Sequence, residues 1–266
     1  MSASSRVLVL GSHGLLGSHV VAALRESAPG RLLDSEHPRF TRGEDLGDFL
    51  AEKAPTTVIN CIGYAGEAEA ELYKVNACFP RVISDVCHIL KALFIHISTN
   101  AIFASDSTRR WLPGDHPEPR TPYEVAKAMG EDPRAFVIRS SFIGASRKGR
   151  GIFNRMAEGH PYADRYWNGV TALALARRIA EVARSGDGIP VSGLEHVFSQ
   201  RVVTFQEIAT LLGSTSEPSG EKGASKLLGG GQELPDIREQ LEDYARWLQQ
   251  RRSYSDSITS PSLKRD

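Results

Sequence analysis

Cysteine is scarce in this sequence. The 266 residues contain only Cys61, Cys78 and Cys87, and no two stand in a CxxC pair. A disulfide framework and a thiolate metal site therefore have no basis, and the expectation is small buried side chains in a reducing compartment. Excess charge is missing as well. Lys plus Arg and Asp plus Glu number 32 each, so there is no general attraction to nucleic acid or to an anionic membrane. A local basic pocket is still compatible with that balance. Long apolar runs are also absent. The first, Val7 to Leu10, stops at Gly11. It is far shorter than the roughly 7–15 residues of a secretory leader core or the ~20 of a membrane span. No metal, nucleic-acid or membrane partner is expected, and the expected location is the cytoplasm. What remains is ordinary globular composition, 41% apolar and 24% charged. The length suits one large α/β domain, with or without a small appended lobe.

Short apolar runs alternate with longer amphipathic stretches. Val7–Leu10, Thr57–Ile62, Leu93–Ser98 and Ala135–Arg139 read as strands. Leu15–Arg25, Leu72–Lys91 and Tyr123–Glu131 read as helices. Strands apolar on both faces and separated by helices predict a doubly wound parallel sheet covered on both sides, a Rossmann-like α/β fold. Arg31–Asp34 is the one stretch between Pro29 and Asp48 that offers a second strand. Beyond Gly144 the pattern loosens. Helices are expected at Gly151–Gly159, Val170–Ser185, Phe205–Leu212 and Pro235–Gln250, a strand at Glu195–Ser199, and loop from Gly213 to Gly231. The implied organisation is a dinucleotide-binding domain over 1–145, rejoined by about 169–200. A small substrate-binding lobe takes 146–168 and 201–250, and a polar, frayed tail takes 251–266.

Gly11, Gly14 and Gly17 form GxxGxxG between the first strand and the first helix. A dinucleotide's pyrophosphate needs close backbone approach, which glycine permits, and the exposed amides of a helix N-terminus. An acidic residue about 20 positions further on would take a ribose 2′-hydroxyl. Asp34 fits that place, while Arg31, Arg39 and Arg42 lie near enough to receive a 2′-phosphate instead. NADPH and NADH both stay open.

Tyr123 and Lys127 make YxxxK. Positions i and i+4 share a helix face, so the spacing predicts an ammonium near a phenol and a lowered tyrosine pKa. Such a tyrosine can pass a proton to a carbonyl oxygen while hydride reaches the carbon. Ser98-Thr99 ends a buried strand, at the sheet edge where open α/β proteins place their ligands.

The glycine turn, the Ser-Thr strand end and YxxxK appear in the order and approximate spacing of short-chain dehydrogenases/reductases. Several stretches resemble the dTDP-4-dehydrorhamnose reductase group of the extended branch. They are Val58-Ile59-Asn60-Cys61, Tyr73-Lys74-Val75-Asn76, His96 to Phe103, Gly130-Glu131, Ile138 to Ser141 and Trp167 to Thr171. The resemblance covers roughly residues 5–212. It implies Tyr123 as proton donor, Lys127 on the nicotinamide ribose and tuning the tyrosine, and Thr99 orienting the carbonyl. It implies Gly11, His13, Gly14, Leu15 and Leu16 around the pyrophosphate, Asp45-Leu46 beside the adenine, and Cys61, Ile62 and Gly63 along the cofactor cleft. Asn100, Phe103, Asn154, Trp167 and Asn168 are the expected substrate contacts. The implied partner is a nucleotide-linked keto-sugar, with a homodimer left open.

Two residues depart from the group: Asn100 replaces an aspartate and Glu124 a glycine. Asn100-Ala101 supplies neither the acid pair of the related dehydratases nor the cysteine of the bifunctional epimerase-reductases. Ketone reduction, most simply at C4 of a 6-deoxy-hexose, is what the resemblance leaves. The rival readings are an epimerase or other carbonyl reductase of the same superfamily, and a silent nucleotide-binding regulatory subunit, for which the compressed second-strand region is the best argument.

Overall fold

A computed structural model describes residues 6–28, 30–33, 40, 42–146, 151–185 and 192–259, with side chains as far as Arg251. Strand β1 (Val7–Leu10) leads into helix α1 (Leu15–Ser27), then α2 (Gly43–Lys53) and β2 (Thr57–Asn60). Helix α3 (Glu69–Tyr73), a π-helical turn (Lys74–Cys78) and α4 (Phe79–Leu90) follow without a break and feed β3 (Leu93–Thr99). A 3-10 turn (Asn100–Ile102), β4 (Asp106–Trp111), α5 (Pro122–Met129) and β5 (Phe136–Ser140) come next. Then come β6 (Phe142–Ile143), α6 (Ile152–Ala157), β7 (Tyr162–Asp164), β8 (Tyr166–Trp167), β9 (Val170–Thr171) and α7 (Ala172–Arg184). The chain finishes with β10 (Gly193–Ser199), β11 (Val203–Thr204), α8 (Phe205–Leu211), β12 (Pro218–Lys222), β13 (Lys226–Leu228), β14 (Gln232–Leu234) and α9 (Ile237–Thr259).

Six strands form one parallel sheet in the order β1-β2-β3-β5-β10-β14. Successive side chains of a strand point to opposite faces, and each face has its own core. Val7, Val9, Ile59, Ile95 and Ile138 pack against Leu16, Val20 and Leu24 of α1 and Leu175 and Ile179 of α7. Leu8, Leu10, Val58, Phe94 and Val137 pack against Leu46 and Leu50 of α2 and Phe79 and Ile83 of α4. Burial on both faces explains why these strands read as unbroken apolar runs. A third core joins Ile143, Met156, Tyr162, Trp167, Phe205, Ile208 and Ile237. Helix α9 adds Leu241 to that core and also docks on α1, where the Tyr244 hydroxyl lies 2.9 Å from His19 Nε2.

Four expectations are corrected. The second strand shrinks to one bridge, Leu32 with Val7. Two leucines followed by Asp34, Ser35 and Glu36 cannot fill both faces of a covered sheet, and residues 34–39 lie outside those described. The helix expected over Leu72–Lys91 starts earlier and is interrupted by the π turn. Pro80 has no N–H and its ring crowds the carbonyl of Asn76, four residues back, so a regular α-helix cannot pass. The stretch Gly213–Gly231 is not all loop: β12 pairs with β7, and β13 with β4. The tail does not begin at Arg251. Neither Gly nor Pro interrupts the chain between Ile237 and Thr259, and α9 continues through it. Among the described residues no helix is long and apolar enough to cross a membrane.

Candidate functional site

The carboxyl ends of β1, β2, β3 and β5 converge, as ligand sites in open parallel sheets do. They frame a cleft of about 390 Å³ lined by Gly14, Leu15, Leu16, Cys61, Ile62, Gly63, Thr99, Tyr123 and Lys127, together with Ile97, Ser98 and Ser140 to Phe142. Residues distant in the sequence therefore meet in one place.

The glycine turn closes one side. Gly11 takes φ +76°, and a Cβ on it would stand 2.9 Å from the Cys61 carbonyl carbon. A Cβ on Gly17 would stand 2.2 Å from the Gly11 carbonyl oxygen. Both glycines are demanded by backbone approach. Gly14 differs. It is exposed, and a Cβ there would meet only Gly11 O, at 3.1 Å. Helix α1 starts beside it with no side-chain cap. The positive end of the helix dipole and the first-turn amides are thus open toward the cleft. A dinucleotide pyrophosphate fits this cradle, which a side chain at Gly14 would fill.

Asn76, buried in the π turn, shapes the opposite wall. Its amide accepts from Tyr64 N at 3.0 Å and donates to Tyr64 O at 2.7 Å, which fixes the strand-end loop Cys61–Tyr64. π turns recur at such places because the extra residue re-aims a side chain.

Thr99 closes β3 and accepts from Ala101 N at 3.1 Å. Tyr123 lies in the first turn of α5, a helix stopped at its N-terminus by a capping box between Thr121 and Glu124. Burial raises the Tyr123 phenol above its ordinary value of 10.0, the nearby Thr99 hydroxyl works against that rise, and the Glu124 charge adds to it. Lys127 is 5% exposed and donates to the Ile97 carbonyl at 2.8 Å. Burial lowers its pKa from 10.5 to about 8, against the opposing charges of Glu131 and Cys61. The expectation that Lys127 lowers the tyrosine pKa is corrected: the ammonium is bonded into the sheet, and the phenol holds its proton. Cys61, half-buried beside that ammonium, is pushed up to about 12 by desolvation.

Behind the cleft, Ser98 donates to Glu131 at 2.5 Å, and Glu131 pairs with Arg139 at 2.6 Å. Sequence reasoning placed Ser98 at the ligand edge of the sheet without giving it a role, and did not assign Glu131, Arg139, Ser140 or Ser141 to the site. For the serines a signal existed, since Ser140-Ser141 ends the strand adjacent to the one that carries Thr99.

Other expected residues lie elsewhere. Gly11 supports the turn from beneath, and His13 is exposed within it. Asp34 is outside the described residues. Leu46 is fully buried in the sheet core, and Asp45 lies 3.6 Å from Arg42 on α2. None of the five expected substrate contacts lines the cleft. Phe103 is fully buried and stacks on Trp111 at 5.0 Å. Trp167 is buried and donates to Ser141 Oγ at 2.8 Å. Asn168 is buried and bonds both backbone groups of Leu228. Asn100 donates to Lys226 O at 2.6 Å, and Asn154 accepts from Ser146 N at 2.9 Å. In each case a structural partner has taken the side chain. Among the described residues no cluster of metal-ligating side chains occurs.

A dTDP-4-dehydrorhamnose reductase of Mycobacterium tuberculosis is 30% identical over 180 residues, which is 60% of this chain and 59% of the relative. The chain thus spans less than two thirds of that relative. A dTDP-4-keto-6-deoxy-D-glucose reductase of Streptomyces niveus is 27% identical over 234 residues, 78% of this chain and 77% of the relative. Among solved structures, the dTDP-4-dehydrorhamnose reductase of Bacillus anthracis in complex with NADP has the same fold. It superposes with a TM-score of 0.77 at 19% identity, covering 91% of this chain and 99% of that one. The model of the RmlD substrate-binding domain matches residues 5–218. The chain belongs to the RmlD substrate-binding-domain family.

Proposed function

We propose that this chain is a nicotinamide-dependent reductase of a nucleotide-linked keto-sugar, acting at C4 of a 6-deoxy-hexose. One observation carries the reading: an open glycine cradle, Thr99, Tyr123 and buried Lys127 all line one cleft. The relatives, named as reductases of dTDP-linked sugars, support the substrate class.

The cofactor, NADPH or NADH, supplies hydride when bound. The first-turn amides of α1 at Leu15 and Leu16 hold its pyrophosphate, and Cys61 to Gly63 line the wall beside it. Thr99 orients the substrate carbonyl. Tyr123 holds a proton on its phenol oxygen and releases it to the carbonyl oxygen as that oxygen becomes basic. Lys127, fixed to the Ile97 carbonyl, puts a positive charge under the site. The third core, built from chain beyond Ile143, forms the substrate lobe around 146–168 and 201–250.

The test has two stages. NADPH and NADH are titrated by nucleotide fluorescence, and then dTDP-4-keto-6-deoxy sugars are supplied and loss of the reduced nicotinamide is followed. Binding followed by turnover supports the proposal. Binding without turnover on any such sugar favours the regulatory-subunit reading.

A further inference from the structure

We infer that Lys226, on β13, is a positioning residue that holds Thr99 and Tyr123 in register from outside the cleft. The inference rests on the reductase reading above and extends it to a residue far along the chain.

Thr99 and Tyr123 come from different elements, the end of β3 and the first turn of α5. Each element needs an anchor if their hydroxyls are to stay together. One side chain ties both. Lys226 Nζ donates to the Ala101 carbonyl at 2.5 Å, in the turn that follows Thr99. It also donates to Glu124 Oε1 at 2.6 Å, on the residue that follows Tyr123. The turn answers with a third bond, from Asn100 Nδ2 to the Lys226 carbonyl at 2.6 Å. The other carboxylate oxygen of Glu124 accepts from the Arg120 and Thr121 amides, so the same group that starts α5 receives the lysine.

The pair is mostly out of water, with side-chain exposures of 11% and 14%. Removing one partner of such a pair strands the other charge, whereas an exposed pair would be nearly neutral. Strand β13 is itself fixed: Leu228 bonds Asn168 through both backbone groups, and β13 pairs with β4. The anchor is therefore rigid. These bonds form a latch: the ammonium is received by the Ala101 carbonyl and the Glu124 carboxylate, while Asn100 holds the Lys226 backbone.

The experiment compares Lys226→Met, Lys226→Arg and Glu124→Gln with the parent. Misplacing reacting groups by about 1 Å can cost on the order of 10²-fold. Lys226→Met is expected to lower kcat about 10- to 100-fold, with NADPH affinity by fluorescence unchanged, because the bonds of the latch run to the turn after Thr99 and to α5. Lys226→Arg should recover part of the loss. The double variant Lys226→Met/Glu124→Gln should lose less than the two single losses combined, since neither charge is left stranded. A second readout needs no turnover. The Thr99 hydroxyl opposes the rise in the Tyr123 pKa, so displacing it by breaking the latch should move Tyr123 ionisation to higher pH. That is measured by ultraviolet difference titration with Tyr123→Phe as the blank. An inactive parent would sink the reductase reading and leave this titration to decide the latch. A kcat within about twofold of the parent, an unmoved tyrosine titration, or a loss of kcat matched by loss of cofactor binding would overturn the inference. Glu124→Gln serves if Lys226→Met fails to fold.

Discussion

Thr99 and Tyr123 line the same cleft although 24 positions separate them. Their chemistry is unequal, because the phenol is a far stronger acid than the aliphatic hydroxyl and is the one able to surrender its proton to a carbonyl oxygen. Tyr123→Phe should keep cofactor binding and lose turnover by about 10²–10⁴-fold, the usual contribution of a general acid. Thr99→Val should cost less. Steady-state kinetics with a parallel fluorescence titration checks both, and full activity in Tyr123→Phe would remove that residue from the mechanism.

The glycines of the turn should separate by role. Gly14→Val projects into the open cradle and meets only Gly11 O at 3.1 Å. The fold should survive while cofactor affinity collapses. Gly17→Ala drives a methyl to 2.2 Å from the Gly11 carbonyl, so it should lower the melting temperature itself. Thermal melts beside cofactor titrations distinguish the two, and equal cofactor affinity in Gly14→Val would refute the cradle.

Lys127 sets the alkaline limb. Its ammonium loses the proton at about 8, because burial lowers the pKa from 10.5. Cofactor affinity and kcat/KM should therefore fall as pH rises through about 8, the direction in which the charge disappears. Glu131 opposes the lowering, so Glu131→Gln should move this limb to lower pH. Lys127→Met should impair both affinity and turnover at every pH. A pH profile flat across that range would separate the ammonium from function.

Stability should weaken on the acid side. His96 and His196 are buried, and desolvation is the first cause of lowering for both, well below 6.5 for His96 and to about 4 for His196. The native state holds them neutral while the unfolded chain takes up protons below 6.5, so the unfolded state binds more protons as pH falls. The stability they contribute is present above the unfolded value and is lost progressively from 6.5 downward. Urea unfolding midpoints measured from neutral pH to about 5 should decline, and His196→Gln should make the decline shallower.

The strands of the main sheet were legible because burial on both faces leaves a plain apolar run, as in Val58-Ile59 and Phe94-Ile95. The core of the site was legible because strand ends and a helix spacing of four are local facts. The Glu131–Arg139 pair was not, since nothing nearby in the chain shows that two charges meet behind a sheet. Strand β12 escaped because Pro218 to Lys222 are half-buried or exposed and polar, with no alternation to betray a strand. Phe103 was misassigned because resemblance places a residue along the chain without saying which way its ring turns. Here it turns inward onto Trp111.

The π turn at Lys74–Cys78 acts as a phase shifter between two helical stripes. Each residue of an α-helix advances the side chain by about 100°, so one extra residue rotates everything before it relative to everything after. Helix α4 can then press Phe79 and Ile83 into the sheet while Leu72 of α3 meets Ala126 of α5. Deleting a single residue there would bring the two stripes onto one face and swing the Asn76 amide away from Tyr64. The cleft wall is thus held by a counting irregularity, and an alignment gap at this point would signal a differently shaped pocket.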